Sequence, residues 1–324
     1  METTVFVAAV LAGFALLIWG AHLFVTGAAA TAHDLGVSNL LIGVTIVGLG
    51  TTAPELLVTA NAALQGAPGI AIGNALGSNV ANIGLILGLT AIAVPLTVRS
   101  QTLRREMPVL LAVTLLSLLP FLDGYFSRVE GFALLGGLGL MLTWLIRAET
   151  SGANDTDDSF ADDIPQDVTL AKALVLTVVG LLILIGSAHI LVWGAQSIAR
   201  ALGVSELVIG LTVVAIGTSL PELAASLTAA MKGQDDIAIG NVIGSNMYNL
   251  LAVMGTAGAL SPTRLEEDVL HRDFPVMIGM TLILFAMAYS MNDENRGRIS
   301  RGEGALLLIA FFGYQGYIIV QSIG

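Results

Sequence analysis

Two glutamates stand where a carboxylate is costly. Glu55 and Glu222 each follow a proline, in GTTAPE (Gly50–Glu55) and GTSLPE (Gly217–Glu222), and each lies inside a long apolar run. A charged side chain at a bilayer centre costs about 2.5–3.5 kcal/mol on insertion scales, and the apolar interiors hold no basic residue to pair with either one. Proline donates no N–H and clashes with the carbonyl four residues back, so Pro54 and Pro221 are expected to free the carbonyls of Gly50 and Gly217. Those carbonyls, with the hydroxyls of Thr51, Thr52, Thr218 and Ser219, would ring each carboxylate with oxygen. Irregular backbone at membrane depth is tolerated only where it is buried in protein or lines a cavity. A second pair of segments, GNALGSNVAN and GNVIGSNMYN, sets Ser78 and Asn82, and likewise Ser245 and Asn249, four residues apart on one helical face. The whole set is oxygen: carboxylates, amides, hydroxyls and carbonyls. Ca²⁺, which takes roughly six to eight oxygen ligands, suits such a set; Zn²⁺ and Cu²⁺ do not.

These residues occur twice because the chain repeats itself. Adding 167 to a residue number carries Gly43–Asn82 onto Gly210–Asn249, and Glu55 onto Glu222. His22 falls on His189, Pro95 on Pro262, Arg105 on Arg272 and Pro108 on Pro275, and 13 of the 21 positions from Leu35 to Glu55 match their partners. Such internal periodicity dominates any other organisational signal.

The elements that must carry these residues are membrane helices. The chain has 324 residues, 55% hydrophobic and only 11% charged, where a soluble protein carries about a quarter charged. Apolar stretches of about 20 residues, enough to cross roughly 30 Å of hydrocarbon, fall near 4–30, 38–64, 69–95, 107–123, 129–147, 170–199, 205–231, 236–260, 273–290 and 303–322. The fold expected is an all-α polytopic membrane protein with ten transmembrane helices. Five per half is odd, so the second half enters from the opposite side: two inverted five-helix repeats, 1–147 and 169–324, an arrangement that sets a substrate site between them near the midplane. The first run, Val5–Val25, has no basic residue before it and reads as a retained helix rather than a signal peptide.

Between the repeats, 148–168 is acidic. Glu149–Asp167 holds seven acids and no base and reads as a solvated linker; a calcium loop starting at Asp155 fails, with Phe160 where glycine is needed and Gln166 where glutamate is needed. Lysines and arginines divide nine to four between the faces: Arg99, Arg104, Arg105, Arg147, Lys172, Lys232, Arg296, Arg298 and Arg301 against Arg128, Arg200, Arg264 and Arg272. The richer face belongs in the cytoplasm, so both termini are expected outside a plasma membrane and the linker inside. Net charge is −11, which argues against nucleic acid as a partner, and the absence of cysteine excludes disulfides and thiolate chemistry.

The paired GTTAPE/GNALGSNVAN and GTSLPE/GNVIGSNMYN segments resemble the two alpha-repeats of the calcium/cation antiporter superfamily, most of all prokaryotic members of its sodium/calcium exchanger branch. The resemblance spans essentially the whole chain. It implies exchange of cytosolic Ca²⁺ for external Na⁺ by alternating access, with the first and sixth helices sliding across a core of the other eight. It also implies that Glu55 and Glu222 are central ligands shared by both ions. Thr51, Thr52, Thr218, Ser219, Ser78, Ser245 and Asn82, with the carbonyls of Gly48 and Ala215, would complete the sites. The ions are cargo; no cofactor and no obligate protein partner is implied. One position departs: Asn249 stands where some members carry aspartate. The fixed charge is then −2, from Glu55 and Glu222, which one Ca²⁺ or two Na⁺ would balance.

Rival readings are weaker. A Ca²⁺/H⁺ antiporter would have the glutamates take protons, and a pH gradient rather than a Na⁺ gradient would drive it. A passive channel could use Glu55 and Glu222 as a selectivity ring, but paired broken helices in an inverted repeat disfavour it. An intramembrane hydrolase would need a His-Glu-x-x-His or Ser/His constellation, and none is evident, so no enzyme is expected. Gly48–Ala53 fits a loose dinucleotide fingerprint without a preceding strand and is a decoy. His22 and His189 read as packing or interfacial residues, as do Trp19, Trp144 and Trp193; Asp123 and Asp273 read as solvated helix ends.

Overall fold

The computed structural model describes residues 2–98, 105–151, 169–202, 215–289 and 297–323. In hydrocarbon a segment must satisfy its own N–H and C=O groups, so the apolar runs fold as helices. The first half holds α1 (Glu2–Leu35), α2 (Asn39–Thr51), α3 (Ala53–Leu64), α4 (Pro68–Ala93), β1 (Leu96–Val98), α5 (Glu106–Leu116), β2 (Tyr125–Phe126) and α6 (Arg128–Ser151). The second holds α7 (Leu170–Ala201), α8 (Ala215–Thr218), α9 (Leu220–Met231), α10 (Asp235–Leu260), β3 (Thr263–Arg264), α11 (Val269–Ala288), β4 (Gly297–Ile299) and α12 (Arg301–Ile323).

Among the described residues seven helices are long and apolar enough to cross a membrane, or eight if α2 and α3, bent by 41° at their junction, count as one span. The helical stretch Glu106–Phe121 is apolar but shorter. The crossing expected near 205–231 begins in residues 203–214, outside the described part, as do Arg99, Arg104, Arg296 and the linker residues 152–168.

Two helices form the centre. The most apolar windows of α4 and α10 are 83% and 100% buried, against 17–33% for α1, α6, α7, α11 and α12. The outer helices turn apolar side chains such as Leu11, Leu140 and Val320 outward, as lipid-facing surfaces do. α1 and α7 lie against each other antiparallel: Gly13 meets Leu191, Gly20 meets Leu184, Gly27 meets Thr177, and Phe6 meets Gly194. Without a hydrophobic drive between helices in lipid, close backbone approach through small residues is what joins them. A Cβ on Gly27 would sit 2.4 Å from the Thr177 nitrogen, so only glycine fits there.

α10 packs parallel to α2, with Gly240 against the Leu40 carbonyl, Gly244 against Val44 and Ser245 against Gly48. π-helical turns interrupt α4 at Asn82–Leu87 and α10 at Asn249–Val253. They begin at equivalent asparagines, and such turns mark functional positions in many helices. Two short antiparallel ribbons, β1 with β4 (Leu96 opposite Ile299) and β2 with β3 (Tyr125 opposite Arg264), tie the ends of the helices together. Capping boxes start α6 and α12: Glu130 accepts from the Ser127 N–H at 2.7 Å and Glu303 from the Ser300 N–H at 2.7 Å. These equivalent boxes are 173 apart rather than 167, so the second half carries six extra residues between Pro275 and Ser300.

One expectation is corrected. Asp273 is not a solvated helix end: it is buried, accepting from Arg272 Nε at 2.6 Å and from the Tyr314 hydroxyl at 2.9 Å. The π-helical turn Val269–Asp273 brings it under α12, where Arg272 also reaches Asp268 and Gln321. Asp123 is exposed, accepting from the Tyr125 N–H within its turn.

Candidate cation site

The two prolines do locally what their chemistry requires. Pro54 and Pro221 are the second residues of α3 and α9, where a missing N–H costs nothing. The chain breaks at Thr52 and Ser219, and helical bonding restarts from Leu56 N–H to the Thr52 carbonyl and from Leu223 N–H to the Ser219 carbonyl. Glu55 and Glu222 therefore sit in the first turns of new helices, at the positive ends of their dipoles.

Both carboxylates are sealed from solvent, Glu55 at 1% and Glu222 at 2% exposure. Glu222 is close enough to Glu55 for their charges to interact. Each leaves its Oε2 without a partner, and Asn82 Oδ1, Asn249 Oδ1 and Ser219 Oγ are buried and unpartnered as well. The halves are interleaved: the turn starting at Asn82 packs against α9, which carries Glu222, and the turn starting at Asn249 packs against α3, which carries Glu55. Buried carboxylates without cationic partners are strongly unfavourable unless something positive joins them. Among the described residues no three His, Asp or Glu side chains cluster as a metal site, so a cation here must draw on amides and hydroxyls.

The other expected residues make contacts of their own. Thr52 turns its hydroxyl back onto the Gly48 carbonyl at 2.7 Å, and Thr51 bonds the Val47 carbonyl at 3.0 Å and Asn241 Oδ1 at 3.1 Å. A hydroxyl whose proton is used on another acceptor keeps its lone pairs for a cation. Ser245 Oγ lies 3.5 Å from the Gly48 carbonyl, joining the two repeats, and Ser78 is buried one turn before Asn82. The Gly48 carbonyl already accepts the Thr52 N–H and hydroxyl. Ala215 begins α8, which packs against the Pro68–Ala81 part of α4 that carries Ser78. Thr218 is half-buried and lines a cavity of about 240 Å³ with Pro54, Pro221, His189, Trp193 and Gln196. His189 thus borders the broken helices, while the carbonyl of its counterpart His22 accepts from Lys232 Nζ at 3.2 Å.

Two residues that hold the backbone of the glutamates escaped the sequence reading. Asn74 Nδ2 donates to the Glu55 carbonyl at 3.1 Å and to Thr59 Oγ1 at 3.0 Å; Asn241 Nδ2 donates to the Glu222 carbonyl at 3.2 Å and to Ser226 Oγ at 2.8 Å. They clamp the backbone that carries each carboxylate. Their signal was present, since both stand in the Gly-Asn that opens GNALGSN and GNVIGSN.

The chain is similar in sequence and fold to known proteins. CaxA of Alkalimonas amylolytica is 44% identical over 97% of this chain and 98% of its own. The sodium/calcium exchanger MaX1 of Methanosarcina acetivorans is 32% identical over 94% and 95%. The solved structure of the sodium-calcium exchanger NCX_Mj, soaked with Na⁺ and Ca²⁺, superposes with a TM-score of 0.81 at 35% identity, covering 95% of this chain and 96% of that one. The family described as sodium/calcium exchanger protein matches residues 5–147 and 172–320. With the family match over most of its length and the fold in agreement, the chain belongs to the sodium/calcium exchanger protein family.

Proposed function

We propose that this membrane protein is a secondary active antiporter that exchanges Ca²⁺ for Na⁺ by alternating access, normally extruding Ca²⁺ across the plasma membrane. The observation that carries the proposal is the set of buried, unpartnered oxygens drawn from both halves, centred on Glu55 and Glu222. The ligands are Glu55, Glu222, Thr51, Thr52, Thr218, Ser219, Ser78, Ser245, Asn82 and Asn249, with the Gly48 and Ala215 carbonyls. One Ca²⁺ or two Na⁺ would neutralise the two carboxylates, so the ions compete for one charge balance and leave the site alternately. The names of MaX1 and NCX_Mj support Na⁺ as the coupling ion.

Ten crossings in two inverted repeats, 1–147 and 169–324, joined by a cytoplasmic linker, 148–168, would supply the two-fold arrangement that alternating access uses. The antiparallel packing of α1 and α7, which occupy equivalent places in the repeat, supports that inversion.

The test is Ca²⁺ flux in proteoliposomes with Na⁺, Li⁺, K⁺ and H⁺ gradients imposed in turn. A Na⁺ gradient is expected to drive uptake, and Glu55→Gln or Glu222→Gln is expected to reduce it to the level of protein-free liposomes, because each removes half of the fixed charge. Near-normal transport by either variant would overturn the site. Uptake driven by a pH gradient alone would make the protein a Ca²⁺/H⁺ antiporter, and flux without any counter-ion would make it a channel.

A further inference from the structure

α11 and α12 are tied at one end and parted beyond it. Arg272 donates to Asp273 Oδ1 at 2.6 Å, to Asp268 Oδ2 at 2.7 Å and to Gln321 Oε1 at 2.6 Å, and the Tyr314 hydroxyl donates to Asp273 at 2.9 Å. Past this tie the two helices leave a groove of about 450 Å³, with His271, Arg272 and Tyr317 at its polar end and Gly279, Ile283 and Ala310 along its apolar part. Small residues keep it open: a Cβ on Gly279 would meet no heavy atom within 4 Å. His271 to Ile283 spans about 18 Å of helix, close to one leaflet of a hydrocarbon core roughly 30 Å thick. That is the depth one acyl chain occupies.

The polar end keeps both donors and acceptors in reserve. Arg272 spends a fourth N–H on Asp273 Oδ2 at 3.2 Å, which leaves the fifth, and the exposed Tyr317 carries a second donor in its hydroxyl. His271 Nδ1 lies 3.0 Å from the Glu267 carbonyl. A carbonyl only accepts, so neutral His271 holds its proton on Nδ1 and offers Nε2 as an acceptor. Asp268 Oδ2 takes Arg272 and Gln321, which leaves Oδ1 on a side chain 48% exposed. From Arg264 to Asp273 four carboxylates stand against two arginines, so a net anionic group is repelled here and an ammonium attracted. The first half differs at the same places. Ala112 is the counterpart of Gly279, and Trp144, which matches Tyr317 at the spacing of the capping boxes, lies 5.9 Å from the Arg105 guanidinium.

We propose that this groove binds a phospholipid with an ammonium head, of the phosphatidylethanolamine class, drawn from the surrounding bilayer. One acyl chain lies along Gly279 and Ile283. The phosphate takes the last Arg272 N–H and the Tyr317 hydroxyl, and the ammonium donates to His271 and Asp268. A trimethylammonium head has no N–H to give those acceptors, and a glycerol head brings no positive charge to offset its phosphate. The site goes beyond ion exchange and stands whichever cation drives transport.

The experiment is native mass spectrometry of the full chain in detergent, titrated with phosphatidylethanolamine, phosphatidylcholine and phosphatidylglycerol of identical dioleoyl chains. One phosphatidylethanolamine is expected to bind about three- to fivefold more tightly than either of the others, the worth of one exposed ion pair. Asp268→Asn is expected to remove that preference, and Gly279→Phe, which fills the groove, to abolish the tightly bound lipid. Equal affinity for the three lipids, a preference for phosphatidylglycerol, or phosphatidylethanolamine binding unchanged in Gly279→Phe would each overturn the proposal. So would a dimer of the chain that carries no lipid and is dissolved by Gly279→Phe, since the groove would then belong to a second copy. If Gly279→Phe does not fold, as judged by gel filtration, Ala310→Phe takes its place. Glu55→Gln, expected to stop transport, is expected to bind the lipid unchanged, so failure of the ion site and failure of the lipid site are read apart.

Discussion

Charge at single residues governs what this site can hold. Glu55 and Glu222 supply a fixed charge of −2, and Asn249 is the neutral residue at the position where a third carboxylate would fit. In a low-dielectric site an excess positive charge is repelled strongly, so two Na⁺ are expected to exchange for one Ca²⁺. Asn249→Asp raises the fixed charge to −3 and is expected to shift coupling to three Na⁺, read as a changed reversal potential in liposomes under set Na⁺ and Ca²⁺ gradients. A three-to-one ratio in the native protein would contradict this argument. At this scale the glutamates and their hydroxyl neighbours were legible because cost and repetition marked them. Asn74 and Asn241 were not, because a side chain that bonds a backbone carbonyl 19 residues earlier leaves no spacing rule to find.

Helices here are joined by what is small. α1 and α7 approach through Gly13, Gly20, Gly27, Gly180 and Gly194, several of them with backbone atoms inside the space a side chain would need. Gly27→Val is expected to force the pair apart and destabilise the protein by about 1–3 kcal/mol, the usual effect of overpacking. Thermal unfolding in detergent would register this as a loss of several degrees, whereas Gly136→Ala, with open space beside it, is expected to leave the melting temperature unchanged. The breaks at Pro54 and Pro221 were legible from sequence, because proline acts on its own backbone wherever it stands. The π-helical turns at Asn82 and Asn249 were not, since an extra residue in a turn is chosen by the packing around it.

Orientation is a property of the whole molecule. The nine-to-four division of lysine and arginine would put both termini outside and the β1–β4 ribbon inside. Since the native chain has no cysteine, single introduced cysteines report side without background. Gln321→Cys is expected to react with a membrane-impermeant maleimide on intact cells, and Arg298→Cys only after permeabilisation. The reverse pattern would invert the proposed topology.

The sequence by itself determined that the chain belongs in a bilayer and that it is built twice, and it pointed to two proline-linked glutamates as the centre of the proposed site. Hydropathy, repetition and the backbone limits of proline act locally, so they survive without coordinates. Only the tertiary structure decided that Asn74 and Asn241 clamp the glutamate backbone, that Asp273 is enclosed by Arg272 and Tyr314, and that Asn82 meets Asn246 across the repeat interface. Each of those depends on partners from distant segments, whose meeting is set by how the helices pack.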